Sequence, residues 1–353
     1  MGFWLGGCVP TGDGRQPVIY GHASVSEATG TTMLAFEVLD DVAIFQAAAL
    51  VAREQVQARS HRPGMPAAYT DPEQCRVALD ELFADGYVGF VAHDESRCVG
   101  VMCGRTADSV GFVPAHGLAV DPDLVDSTAV VVGLFAQLAP VLLRDGALRF
   151  TIDHVELHPL GAALNDAGFG RGGVFATQRA RPTEPAVDVD VRIGTTDDLD
   201  TIAALSLVEF GHRSTPPIYA HPQPMTLAET RALHERLLAE GAVHFLARRD
   251  SSDVGLVTVE FTSPAPRLCP SARPYIGSTA SHPAVRGKGI GHALVHRVLD
   301  WAHVNGHEAV SVDFDSSNPL SRPFWLGLGF EPTGYRVRRM INPSYTVRAD
   351  KRE

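Results

Sequence analysis

The stretch HPAVRGKGIGHALVHRVLDWA, from His282 to Ala302, decides how this chain is read. Gly287, Gly289 and Gly291 alternate with Lys288 and Ile290, and an amphipathic helical pattern follows directly. Glycine reaches positive φ and lets a ligand come close to backbone N–H groups. The run YIGSTAS before the loop reads as a strand. A strand, a glycine turn and a helix start together aim N–H groups and the helix dipole at one point, which suits an anion. Arg286 and Lys288 add positive charge, so phosphate is the natural guest. Two familiar phosphate loops fail on single positions. A Walker loop needs glycine where His282 stands and Ser or Thr where Gly289 stands. A dinucleotide loop needs a third glycine where His292 stands.

Working outward, similar landmarks recur in the first half. LAVDPDLVDSTAV from Leu118 answers TASHPAVRGKGIG from Thr279, and ALRFTIDHVEL answers EAVSVDFDSS. HPLGAALNDAGF then answers NPLSRPFWLGLGF, and the spacings Pro122 to Pro159 and Pro283 to Pro319 differ by one residue. Recurrence of several features at fixed spacing marks an internal repeat. The chain therefore reads as two copies of one α/β unit, at 33–181 and 191–343, joined by a Pro-rich, charged linker at 182–190. A Gly-, Ser- and Thr-rich leader (1–32) and a tail (344–353) flank them. In the first copy Val125, Asp126, Thr128 and Val130 stand where Arg286, Gly287, Gly289 and Gly291 stand in the second. Side chains there block close backbone approach, and Asp126 would repel phosphate, so one working anion site is expected.

Bulk properties narrow the function classes. The 353 residues suffice for two domains, and 45% hydrophobic content suffices for real cores. A net charge of −11 argues against a general nucleic-acid or anionic-membrane binder. Five cysteines without a C-x-x-C pair argue against a disulfide framework or a cysteine zinc site, and fit a reducing cytoplasm. No apolar run is long enough to span a bilayer, and MGFWLGGC lacks the basic start of a secretory signal. His292, His296, His303 and His307 share the polar face of one amphipathic helix, with no carboxylate to complete a ligand set, so no metal is expected.

The glycine loop and its neighbours jointly resemble the GCN5-related N-acetyltransferase (GNAT) family. The family's pattern Q/R-x-x-G-x-G/A is read here as Arg286-Gly287-Lys288-Gly289-Ile290-Gly291. His282-Pro283 precedes it, and Asn318, Trp325 and Gly329-Phe330 follow at the family's offsets. The resemblance spans roughly Val189 to Ile341, and the first copy resembles the same family with its loop destroyed. It implies an α/β fold with a mixed sheet: two tandem GNAT-like domains, each a twisted, mostly antiparallel sheet flanked by helices. It implies acetyl-CoA, or another acyl-CoA, as co-substrate, with its pyrophosphate on Arg286, Gly287, Lys288, Gly289, Ile290, Gly291 and His292. Asn318 and Trp325 would border the pantetheine arm, and backbone groups of Thr279, Ala280 and Ser281 would polarise the thioester. The implied activity is N-acyl transfer to a small-molecule amine. A CoA-binding sensor or scaffold without turnover, and a protein N-acetyltransferase, are the alternatives.

Acyl transfer to an amine needs a base for the ammonium proton, and the leaving thiolate benefits from an acid. The family's usual tyrosine position holds Trp325, whose indole only donates hydrogen bonds. Either another group serves or the thiolate leaves without an acid; Tyr335 on the last strand is one candidate, with a plain core tyrosine as the alternative reading. Four groups qualify as base: His282 and three carboxylates. Asp313 and Asp315 alternate with Val312 and Phe314, so both acids share one face of the strand. Glu260 ends the third strand, where the family often places an acid. The Pro-rich loop HRSTPPIYAHPQPM is expected to help form the acceptor pocket.

Overall fold

The computed structural model describes residues 34–184, 189–220, 225–270 and 273–342. The expected leader and tail lie outside them, as does part of the linker. The first copy runs β1 (Leu34–Val38), α1 (Ala43–His61), α2 (Pro72–Ala84), β2 (Val88–Asp94), β3 (Arg97–Ala107), β4 (Val110–Val113), β5 (Leu118–Val120), α3 (Thr128–Arg144), β6 (Arg149–Val155), α4 (His158–Asp166) and β7 (Gly170–Arg179). The second runs β8 (Asp190–Ile193), α5 (Leu199–Arg213), α6 (Leu227–Ala239), β9 (Val243–Arg249), β10 (Ser252–Glu260), β11 (Tyr275–Ser281), α7 (Ile290–Val304), β12 (Ala309–Asp315), α8 (Ser321–Gly327) and β13 (Glu331–Met340). The repeat is exact in register over its first part: β9 follows β2 at the same offset at which Gly255 follows Gly100.

That glycine pair shows why the repeat exists. α7 lies so close on β10 that a Cβ at Gly255 would meet Ile290 at 2.7 Å and Leu294 at 2.9 Å. α3 lies as close on β3, where a Cβ at Gly100 would meet Val130 at 2.4 Å and Leu134 at 2.9 Å. Val130 is thus the packing counterpart of Ile290, not of Gly291, one residue off the sequence alignment. No glycine falls in the first copy's loop in either register.

All strands join one sheet, in the order β1-β2-β3-β4-β6-β13-β7-β12-β11-β10-β9-β8, with β5 pairing β3. Most pairings are antiparallel; β4 with β6 and β11 with β12 are parallel. The two copies exchange their last strands. β7 ends the first copy in sequence but pairs with β12 of the second, Val312 opposite Ala176. β13 ends the second copy but pairs with β6 of the first, Val337 opposite Ile152. β7 and β13 pair with each other at the centre. The units expected at 33–181 and 191–343 are therefore units of sequence, each lending its final strand to the other.

The cores follow the same exchange. The first core is centred on α3, β6 and α4 but takes in Ala265, Leu268, Cys269, Tyr275 and Val337 from the second copy. The second, under α7, takes in Val174, Ala176 and Ala180 from the first.

Candidate functional site

The second copy's glycine loop forms as its sequence demands. Gly287 and Gly289 adopt φ of +74° and +81°, in the left-handed region that glycine reaches without strain. Gly289 is the N-cap of α7, so the N–H groups of the first turn, from Ile290 onward, have no partner within the helix. A Cβ at Gly291 would press on Phe324 at 3.0 Å, so the third glycine serves packing against α8. Arg286 and Lys288 are exposed beside the loop. His292 meets Phe324 edge to face at 5.3 Å.

The first copy's turn ends differently. Asp126 Oδ1 accepts a hydrogen bond of 2.8 Å from the Thr128 N–H, the first residue of α3. Bonds from Thr128 hold the Asp126 carboxyl below the usual range, so it stays ionised. The chain's own carboxylate sits at the helix start where the second copy leaves room for an anion.

Immediately before the glycine loop, β11 and β12 separate. Their parallel pairing is confined to Tyr275 with Ser311 and Ile276 with Val312. A register shift against β10 accompanies the separation, between Ile276 and Thr279. The opening so formed is lined by acids. Val310, Val312 and Phe314 enter the core under α7, which turns Asp313 and Asp315 to the other face, as the alternation requires. The Tyr275 hydroxyl donates to Asp313 Oδ1. Asp315 Oδ2 takes a 3.0 Å bond from Arg213 Nε on α5. Glu260 is half-buried; burial raises its pKa, Asp313 adds to the shift, and its Oε1 has no partner among the described residues. A Cβ at Gly277 would lie 2.1 Å from that oxygen, so Gly277 makes room for the Glu260 carboxyl.

Two further residues of this site escape sequence reasoning. Glu209 on α5 accepts a 3.0 Å bond from the Thr279 N–H at the opening and lies 3.5 Å from Arg213. Burial pushes its pKa up to about 7, against the lowering effects of Arg213 and the Thr279 N–H. Arg213 itself is kept firmly charged by Glu209, Asp315 and Asp313, which outweigh its burial. Three carboxylates, Glu209, Asp313 and Asp315, thus act on one guanidinium at the opening. A buried chain fixes α5 from behind: Ser206 Oγ bonds His234 Nε2 at 2.6 Å, His234 packs on His244, and His244 Nδ1 bonds Thr258 at 3.0 Å.

The remaining expected residues divide. Ala280 and Ser281 pair with Leu256 and Gly255 of β10. The Thr279 N–H, expected to face a thioester, is already bonded to Glu209. Asn318 Oδ1 accepts from the Leu320 and Ser321 N–H groups at 3.0 and 3.2 Å, capping α8. Trp325 is only 3% exposed and packs on Phe324 and Phe330 in the core. Tyr335 lies under Arg171, 3.6 Å from the ring centroid. It is on the face of β13 opposite Arg336, whose charge is felt by Asp313 and Asp153. Trp325 packs on Phe324 and Phe330, and Tyr335 on Arg171 and His154. Of the Pro-rich loop, residues 221–224 are outside the described ones; Arg213, just after its first residue, does reach the site.

Residues 209–330 match the family model of the acetyltransferase (GNAT) family. The second copy is a GNAT domain. A GCN5-related N-acetyltransferase from Sphaerobacter thermophilus superposes with a TM-score of 0.56 at 14% identity, over 88% of this chain and 96% of that one. The GNAT-type fold therefore extends well beyond the matched segment, and the expected tandem of two GNAT-like units holds. A tandem GNAT protein from the clavulanic acid biosynthesis pathway aligns at 17% identity and a TM-score of 0.49, over 88% of this chain and 99% of that one. No curated protein matches the chain. At the level of the family, the GNAT domain carries acyl transfer as its chemistry. No helix among the described residues is long and apolar enough to cross a membrane.

Proposed function

We propose that this protein transfers an acyl group, by default acetyl, from CoA to the amine of a small molecule, and that only the second copy does so. The observation that carries the reading is the glycine-bearing start of α7 beside the separation of β11 from β12. The loop offers unbonded N–H groups and the positive end of a helix to the CoA pyrophosphate, with Arg286 and Lys288 beside it. The opening gives the pantetheine arm a path between two strands. Glu209, Glu260, Asp313 and Asp315 give an ammonium group a negative surface to approach.

Acetyl-CoA at a hundredfold excess over its dissociation constant stabilises the protein by about 3 kcal/mol in this reading. Gly289→Asp abolishes that stabilisation, because it puts a carboxylate at the phosphate site and an unfavourable residue at φ of +81°. A wild-type melting curve unmoved by acetyl-CoA would refute the reading. Binding without thiol release, across amines, amino acids and aminoglycosides, would leave a CoA sensor in its place.

A further inference from the structure

The two copies hold a glutamate at the same point of the repeat: Glu209 follows Glu54 at the offset that relates Gly255 to Gly100. Both glutamates lie on the first long helix of their copy, and both accept a backbone N–H from the strand that separates from its parallel neighbour. Glu54 Oε1 takes the Val120 N–H at 3.2 Å, and Glu209 Oε2 takes the Thr279 N–H at 3.0 Å. Their other partners differ. Glu54 is 1% exposed and bonded at 2.7 Å to Arg267, itself fully buried. Glu209 keeps partial access to solvent, with its side chain 15% exposed, and among the described residues it pairs with Arg213 at 3.5 Å, which is also bonded to Asp315.

We infer that Glu209 is the general base of the second copy, and that Glu54 is the same residue sealed off. The inference rests on the reading that an acyl-CoA occupies the opening between β11 and β12. On that reading, a carboxylate bonded to the Thr279 N–H stands beside the strand whose backbone would polarise the thioester. Three groups around it can modulate its proton affinity: Arg213 on its own helix, Asp313 on β12, and the Thr279 N–H on β11. Tyr275 and Arg336 face Asp313 and act on Glu209 only through it. A base with a pKa about 7 is matched to an amine reaction near neutral pH.

An acceptor ammonium gives one proton to a Glu209 carboxylate oxygen, and the freed nitrogen bonds to the thioester carbon. The carbon–sulfur bond breaks, and the second nitrogen proton leaves with the CoA sulfur as thiol. Glu260, whose Oε1 has no partner among the described residues, is left to hold the incoming cation.

The test compares wild type, Glu209→Gln and Glu260→Gln, with thiol release from acetyl-CoA as the readout and n-butylamine, lysine and an aminoglycoside as acceptors. Acetyl-CoA thermal stabilisation is expected in all three proteins. Glu209→Gln should lower kcat/KM by about 10²–10⁴-fold at pH 7.5 and remove the fall in rate below pH 7. Hydroxylamine, which is already neutral at that pH, should restore much of the lost rate. Glu260→Gln should raise the acceptor KM and keep the acid limb. An acid limb that survives in Glu209→Gln, or a rate that hydroxylamine does not restore, overturns the assignment. So does a wild type that binds acetyl-CoA yet turns over none of these acceptors. A wild type that does not bind acetyl-CoA overturns the underlying reading instead.

Discussion

The openings in the two halves begin as the same piece of architecture and end as opposites. In the first copy β4 pairs with β3 and in parallel with β6, and β5 continues along β3 without pairing β6, just as β11 continues along β10 past the end of its pairing with β12. What enters the gap differs. The first copy turns from β3 to β4 in a tight hairpin at Asp108 and Ser109. The second carries a long connection between Glu260 and Tyr275, and that connection crosses into the first copy. Arg267 from it donates to the carbonyls of Val51, Ala115 and Leu118, to Gln55 Oε1 and to Glu54. Every direction of the guanidinium fork is used, as its five donors allow. The first opening is thus filled by a side chain of the second copy, while the second receives no such plug among the described residues. The difference teaches what the first copy is for. Its opening is occupied by Arg267, and it anchors the connection that runs from Glu260 to Tyr275 beside the second opening.

Breaking the plug is the strongest challenge to this comparison. Arg267→Met leaves Glu54 buried without its cation and strands three carbonyls, so it should cost about 3–5 kcal/mol of stability. The double variant Glu54→Gln/Arg267→Met should recover part of that loss. Thermal melting of the set measures it, and an Arg267→Met protein that melts like wild type would show that the first opening is not held by this residue.

Acid exposes a weaker asymmetry. Burial holds His116, His154 and His234 near pKa 4 in the folded chain, against an ordinary value of 6.5. The unfolded chain takes up these protons below about pH 6.5 and the folded one does not until about pH 4. Stability is therefore fully present above pH 6.5 and declines as the pH falls toward 4. At pH 5.5 each of these histidines costs about 1 kcal/mol relative to neutral pH. His234→Gln should flatten the dependence by that amount; identical melting profiles against pH in the two proteins would contradict the buried, neutral state of His234.

The smallest effect lies at the helix starts. Asp126→Ala removes the bond to Thr128 and should lower stability by about 0.5 kcal/mol, with acetyl-CoA stabilisation unchanged. A loss of acetyl-CoA binding in this variant would mean that the first copy's turn also serves the ligand, and the contrast between the copies would fall.

Much of this molecule can be read from the residues in order. The glycines at 287 and 289 dictate positive φ, and the alternation from Val310 to Asp315 dictates which face carries acid. Both are local: a missing Cβ and a period of two act within a few residues, whatever the rest of the chain does. The repeat of Gly100 in Gly255 is equally legible, and following it to Glu54 and Glu209 would have found the second glutamate. Partner choice is not legible in this way. The pattern of β13 identifies a strand and cannot tell that its neighbours are β6 and β7. The burial of Trp325 and the placement of Tyr335 away from the acids depend on which elements cross over them. Arg267 reads as an ordinary loop arginine until the other copy closes around it. Sequence alone determined the loop, the faces and the fact of two copies. Tertiary structure decided the strand exchange, the sealing of one opening and the group of acids in the other, because contacts between distant residues are set by packing and charge, which no local pattern encodes.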